Sequence, residues 1–129
     1  MARKRILVVD DDPLATGPLR QILAEKGYEV AAVAGGDEAL ALLGRDAFDL
    51  VLLDVLMPGL SGYDVCRRIR EDPRTRELPV VFLTGRGEGK DGAEAGSDLY
   101  LVKPVLATKL LRMVEAALAG EPRSRKPGA

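Results

Sequence analysis

The sequence predicts an α/β domain built on a parallel sheet with helices on both faces. Three observations carry this. Five short apolar runs alternate with five stretches of helical periodicity. Turn signals rather than long linkers separate most of them. The middle run, Leu50-Val-Leu-Leu-Asp54, is apolar without alternation up to its carboxylate, the pattern of a strand buried on both faces. Such alternation demands right-handed crossovers, so the carboxyl ends of all five strands meet at one edge.

Taken in order, residues 5–9 form the first strand, short and β-branched, and run into Asp10-Asp11-Asp12-Pro13. Three adjacent carboxylates repel one another, and the cluster has a cost unless a cation sits there. Asp12 is explained as the N-cap of the next helix with Pro13 at its first position; Asp10 and Asp11 are not. Leu14, Leu19, Ile22 and Leu23 give that helix an inward face, and Lys26-Gly27 closes it. Gly17-Pro18 interrupts the pattern, which implies a kink or a start delayed to a Thr16 cap. Residues 28–33 form the second strand. Asp37 caps a helix through Leu43, with Leu40 and Leu43 inward and Gly44 ending it.

The central strand ends at Asp54, and Pro58-Gly59 stops any regular element after it. Residues 61–70 form a third helix with Val65, Cys66 and Ile69 on its apolar face and Arg67, Arg68 and Arg70 outside. Cys66 thereby reads as a small core residue, and the arginines, followed by Glu71 and Asp72, as a solvated face. Pro79 opens the fourth strand, which ends in Thr84-Gly85. Residues 86–96 hold four further glycines, so a helix there is short and weak. Residues 99–102 form the fifth strand, followed by Lys103-Pro104. A last helix starts near Thr108, with Leu110, Leu111, Val114 and Leu118 inward, and ends at Gly120. The expected division is a domain over 1–120 and a flexible tail or linker over 121–129.

Composition narrows the chemistry. At 129 residues the chain is one domain by length. No apolar run approaches the ~20 residues of a membrane span, and the basic start lacks a secretory core, so a cytoplasmic protein is expected. The single Cys66 rules out an internal disulfide. The absence of histidine removes a Ser-His-Asp triad, a thiolate/imidazole zinc site and any phosphohistidine of the chain's own. A net charge of −1 favours no particular partner.

The residues at the common sheet edge form a coherent set: Asp10 and Asp11 after the first strand, Asp54 after the third, Thr84 after the fourth and Lys103 after the fifth. Oxygens from Asp11, Asp54 and a backbone carbonyl suit a hard divalent cation such as Mg²⁺. Lys103 can take a phosphoryl oxygen and Thr84 can donate to another. Phosphoryl transfer to an aspartate needs this positioning and charge neutralisation rather than a strong base.

The pattern Val-Val-Asp10-Asp11, Leu-Leu-Asp54-Val-Leu-Met-Pro-Gly, Phe-Leu-Thr84-Gly and Tyr100-Leu-Val-Lys103-Pro104 resembles the receiver domain of two-component response regulators, over about residues 4–120. The resemblance implies a flavodoxin-like fold with strand order 2-1-3-4-5. It implies Asp54 as phosphoacceptor, Asp11 as direct Mg²⁺ ligand, Asp10 as a ligand largely through water and Leu56 as donor of a backbone carbonyl to the metal. Lys103 would pair with the phosphoryl group across a cis Lys103-Pro104 bond. Thr84 would move toward the phosphate and Tyr100 would swing in behind it. The donor would be a phosphohistidine on a sensor histidine kinase or histidine phosphotransfer protein. The output would be a contact with a downstream protein the sequence does not name, or a homodimer, through the fourth helix, fifth strand and last helix. No direct nucleic-acid or membrane binding is expected of this domain.

Two departures from the family pattern matter. The segment between Thr84 and Lys103 is about one helical turn short, so the fourth helix is expected to be truncated or mobile. Leu56 and Arg86 occupy rate-tuning positions. An apolar Leu56 should hinder the water that hydrolyses the acyl phosphate and lengthen the life of the phospho-state. Three other classes compete. An aspartate-nucleophile phosphatase typically carries a second aspartate two residues after the first, where this chain has Leu56. A flavin module would have its phosphate repelled by the carboxylates after the first strand. A receiver-like scaffold would bind partners without phosphorylation.

Overall fold

The computed structural model describes residues 3–84 and 99–120. The expected weak fourth helix, Arg86 and the 121–129 tail lie outside the described residues. The elements run β1 (Arg5–Val9), α1 (Pro13–Glu25), β2 (Glu29–Val33), α2 (Gly36–Leu43), β3 (Leu50–Asp54), α3 (Gly62–Glu71), β4 (Val80–Thr84), β5 (Leu99–Val102) and α4 (Ala107–Leu118). The strands pair in parallel in the order β2-β1-β3-β4-β5, as the resemblance implied.

Alternation along the strands divides the core into two layers. Ile6, Val8, Leu50, Leu52, Val81, Leu83 and Leu101 pack under α1 and α4 with Leu19, Leu23, Leu110 and Val114. Leu7, Val9, Val51, Leu53, Val80 and Phe82 pack under α2 and α3 with Ala39, Val65, Cys66 and Ile69. Every residue of β3 is buried, which is why its sequence shows no polar alternation. No helix among the described residues is long and apolar enough to cross a membrane.

Several local expectations are corrected. α1 begins at Pro13 rather than at a delayed Thr16 cap: the Asp12 carboxylate accepts the Leu14 amide hydrogen at 2.9 Å, and the helix runs through Pro18. Pro18 removes the donor that would meet the Leu14 carbonyl, but Leu14 is 84% exposed, so water can serve that carbonyl. That exposure also removes Leu14 from the inward face. α1 ends as expected: Gly27 takes a φ of 93°, and the Gly27 and Tyr28 amides donate to the Ala24 and Leu23 carbonyls, so β2 starts at Glu29. α2 is not capped by Asp37. It starts two residues earlier, from a Gly35 cap position with no side-chain bond, and Gly36 packs directly on Leu60 and Val65. Ala39 fills the α2 core position more fully than Leu40, which is only half-buried. Arg70 is half-buried and donates to the carbonyls of Arg76 and Leu78, tying α3 to the following loop. α4 starts at Ala107 from a Leu106 cap position without a side-chain bond.

Candidate functional site

The site follows from register. Val9 lies opposite Leu53, so one more residue along each strand sets Asp10 beside Asp54. Neighbouring strands are about 4.8 Å apart, and nothing apolar separates the two acids. By alternation Asp10 and Asp54 continue the series of Ile6, Val8, Leu50 and Leu52 on the α1/α4 side. Lys103 continues that of Leu101 and reaches back over them. Its Nζ lies 2.9 Å from Asp54 Oδ1 and 3.0 Å from Asp10 Oδ2. Only the first contact is aligned as a hydrogen bond; Asp10 Oδ2 is buried and accepts none among the described residues. Asp10 Oδ1 accepts the Asp12 amide hydrogen at 3.0 Å, which turns the loop outward and leaves Asp11 exposed. One carboxylate oxygen each from Asp10, Asp11 and Asp54 lies within 4.8 Å of the others.

One cation thus faces several acids, and the two partners feel it differently. Burial pushes the Asp54 carboxyl above its usual range; Asp10 and Asp11 add to this, and Lys103 only partly offsets it. Burial alone would lower the Lys103 ammonium, but Asp54 and Asp10 outweigh it and hold the ammonium above its ordinary value. The lysine gains from the cluster while Asp54 pays for it.

Thr84 and Tyr100 follow the other alternation, after Val80 and Phe82. Thr84 is buried, and its side chain makes no hydrogen bond to the acids among the described residues. The Lys103 amide donates to the Thr84 carbonyl at 2.8 Å, so the two residues share one end of the β4–β5 pair. The Tyr100 ring lies 5.9 Å from that of Phe82, which Tyr63 meets edge-on at 5.2 Å. Leu56 projects beside the site, 63% exposed, and the Lys103-Pro104 bond is cis.

A family model described as the response regulator receiver domain matches residues 6–115. The chain belongs to that family. It is 45% identical over 104 residues to the response regulator PleD of Caulobacter vibrioides, covering 78% of this chain and 23% of that protein. It is 40% identical over 119 residues to the DNA-binding response regulator MtrA of Mycolicibacterium smegmatis, covering 90% of this chain and 51% of that one. The chain therefore spans between about a quarter and a half of these curated relatives. The receiver domain of the sensor histidine kinase PA1611 from Pseudomonas aeruginosa, solved with a magnesium ion coordinated in its active-site cleft, superposes with a TM-score of 0.85 at 31% identity, covering 92% of this chain and 99% of that one. This chain is thus a receiver domain of two-component response regulators, the class of signalling proteins that work with histidine kinases.

One feature of the receiver escaped the sequence reading. Ser61 is not the first residue of α3 but its cap. It forms a capping box in which Ser61 Oγ accepts the Asp64 amide hydrogen and Asp64 Oδ2 accepts that of Ser61. The Ser-x-x-Asp spacing ahead of an apolar helical face was the available signal. The residue it holds in place, Gly62, lies directly behind Asp54.

Proposed function

We propose that this receiver is a phosphorylation-dependent signalling switch in which Asp54 accepts a phosphoryl group from a phosphohistidine on a sensor histidine kinase or phosphotransfer protein. The observation that carries the reading is the Lys103–Asp54–Asp10 cluster: a buried carboxylate at a strand end, paired with a lysine and flanked by two further acids.

The donor set fits Mg²⁺. Three carboxylates converge, and the buried Asp10 Oδ2 has acceptor capacity that no hydrogen bond uses. Asp11 and Asp54 would hold the ion directly, Asp10 largely through water, and the Leu56 carbonyl would complete the protein ligands. Bound there, Mg²⁺ supplies charge neutralisation for a phosphoryl oxygen. An Asp54 carboxylate oxygen forms the new P–O bond as the P–N bond to the donor imidazole breaks, and that nitrogen keeps the electron pair. Lys103 exchanges its Asp54 contact for a phosphoryl oxygen, and Thr84 donates its hydroxyl to another. Thr84 and Tyr100, diagonal to one another on the same face of the β4–β5 pair, carry the change toward the output face. The domain's own chemistry is limited to gaining and losing this group.

Beside Lys103, Leu14, Pro18, Leu19, Ile22, Pro104 and Val105 line an apolar groove of about 300 Å³. Leu14, 84% exposed, lies on the groove beside Lys103 and offers the phosphodonor an apolar landing next to the acceptor. Nucleic-acid binding is not assigned to this domain, and its place of action is the cytoplasm alongside the kinase. The deciding experiment is intact mass after incubation with acetyl phosphate and Mg²⁺. One added phosphoryl group is expected, absent in Asp54→Asn and with chelator. No addition from acetyl phosphate or from phosphorylated kinases would favour a scaffold that binds without phosphorylation.

A further inference from the structure

Resting on Asp54 as the phosphoacceptor, a second inference concerns what holds that residue still. Gly62, the buried first residue of α3, brings its Cα against the main chain of residues 54 and 55. A Cβ there would overlap the Asp54 carbonyl oxygen and lie 2.9 Å from Val55 Cα. These are backbone atoms with no rotamer to turn aside. The Gly62 amide donates to the Val55 carbonyl at 2.8 Å, while the Val55 amide donates to the Leu83 carbonyl of β4 at 3.1 Å. Val55 is therefore held at its amide by the neighbouring strand and at its carbonyl by the first turn of α3, whose Gly62 also lies against the Asp54 carbonyl. That turn is itself anchored by the reciprocal Ser61–Asp64 bonds, both 3.2 Å.

We propose that the first turn of α3 is a brace: the Ser61–Asp64 capping box presses Gly62 against the backbone of Asp54 and so aims its carboxylate at Lys103 and the metal-binding acids. Gly62 and Ser61 are positioning residues, acting through Asp54 and touching neither metal nor phosphoryl group. Only glycine permits the approach. A displacement near 1 Å at a reacting group can cost about a hundredfold in rate.

The test uses the full chain with three variants and three readouts: thermal unfolding, the Mg²⁺ dissociation constant by calorimetry with MgCl₂ alone, and the rate of phosphorylation by acetyl phosphate at saturating Mg²⁺. Gly62→Ala is expected to phosphorylate about 10- to 100-fold more slowly and to bind Mg²⁺ several-fold more weakly. Gly36→Ala is the matched packing control. Its added carbon would lie 2.6 Å from Val65 Cγ2 and 2.9 Å from Leu60 Cβ, away from residues 54 and 55. It should lower stability and leave both site readouts at wild-type values. Ser61→Ala adds no atoms and only loosens the brace; a loss of about two- to fivefold in rate is expected, restored by Ser61→Thr, which can still cap.

A folded Gly62→Ala with wild-type rate and Mg²⁺ affinity would overturn the brace, as would Gly36→Ala slowing phosphorylation equally. Should Gly62→Ala fail to fold, Ser61→Ala decides: an unchanged rate overturns the proposal. Should the wild type itself take no phosphoryl group, the phosphoacceptor reading fails and the Mg²⁺ constants alone judge the brace. Weakening confined to Gly62→Ala and Ser61→Ala supports it, and equal constants in all variants overturn it.

Discussion

Replacing Asp54 with asparagine should make this domain more stable when no metal is present. The two other acids each have an oxygen within 4.8 Å of one of Asp54's, a repulsion of about 3.5 kcal/mol per pair at an effective dielectric near 20. The Lys103 contact at 2.9 Å returns about 6 kcal/mol on the same scale. Losing the Asp54 charge thus removes two repulsions and one attraction, a gain of about 1 kcal/mol. Relief of carboxylate burial adds to it in the same direction. A net stabilisation of about 1–2 kcal/mol corresponds to a rise of about 4–8 °C in Tm for a chain of this length.

The assay is thermal unfolding by circular dichroism in chelator at neutral pH. Its pH dependence has a fixed sign. Because burial raises the Asp54 carboxyl in the fold, the folded state holds that proton more tightly than the unfolded chain does. The penalty is absent below the unfolded carboxyl value near 3.9 and appears as pH rises through the folded value, so the advantage of asparagine should open over that window. Mg²⁺ should reverse the order. At a hundredfold excess over its dissociation constant a ligand adds about 2.7 kcal/mol to the form that binds it, and the asparagine variant, lacking one carboxylate, gains less. An Asp54→Asn protein that melts at or below the wild type in chelator at neutral pH would refute the reasoning.

Three further outcomes follow from the same geometry. Lys103→Met leaves Asp10 and Asp54 without their lysine and should cost about 2 kcal/mol in urea unfolding, less than the 3–5 of a fully buried pair because the lysine side chain keeps 32% exposure; Mg²⁺ should recover part of it. Leu56→Asn should shorten the life of the phospho-state about tenfold, a barrier change of about 1.4 kcal/mol, read as the decay of the phosphorylated mass after donor removal. An unchanged decay would disconnect Leu56 from hydrolysis. Leu14→Glu should slow transfer from a phosphorylated kinase at least tenfold, about 1.4 kcal/mol, while phosphorylation by acetyl phosphate stays at the wild-type rate; equal loss with both donors would place Leu14 in the chemistry rather than in docking.

The sheet and its edge were legible because strand signals are local. Uninterrupted apolar runs such as residues 50–53 announce burial on both faces, and parallel crossovers force their carboxyl ends together. Asp10, Asp54, Thr84 and Lys103 could therefore be placed on one edge before any contact was known. Which of them touch was not legible, since that depends on register and alternation between strands far apart in sequence. Asp10, Asp54 and Lys103 fall on the α1/α4 side and Thr84 on the other. Leu14 fits the helical period yet lies in the first turn of α1, at the end of the sheet where no strand remains to cover it. Gly62 escaped because a glycine in sequence does not say what its missing side chain makes room for.

For the proposed phosphorylation of Asp54, the two alternations offer a route from the site to β5. Asp54 and Lys103 are bound into one ionic cluster on the α1/α4 side, while Gly62 stands behind the Asp54 backbone at the start of α3. Next to Gly62, Tyr63 meets Phe82 edge-on, and Phe82 also packs near Tyr100 on the edge strand β5. Phe82 is fully buried and belongs to β4, whose next-but-one residue is Thr84. Packed interiors do not deform gradually, so the shift of Thr84 proposed on phosphorylation is expected to be taken up by the aromatic rings on its face of the sheet. Of the two rings that meet Phe82 among the described residues, Tyr63 is in the capped first turn of α3, and Tyr100 is on β5, which pairs with β4 alone among the described strands. In the proposed switch the capped turn is expected to resist and the edge strand to yield, so that the response runs toward β5 rather than back through α3.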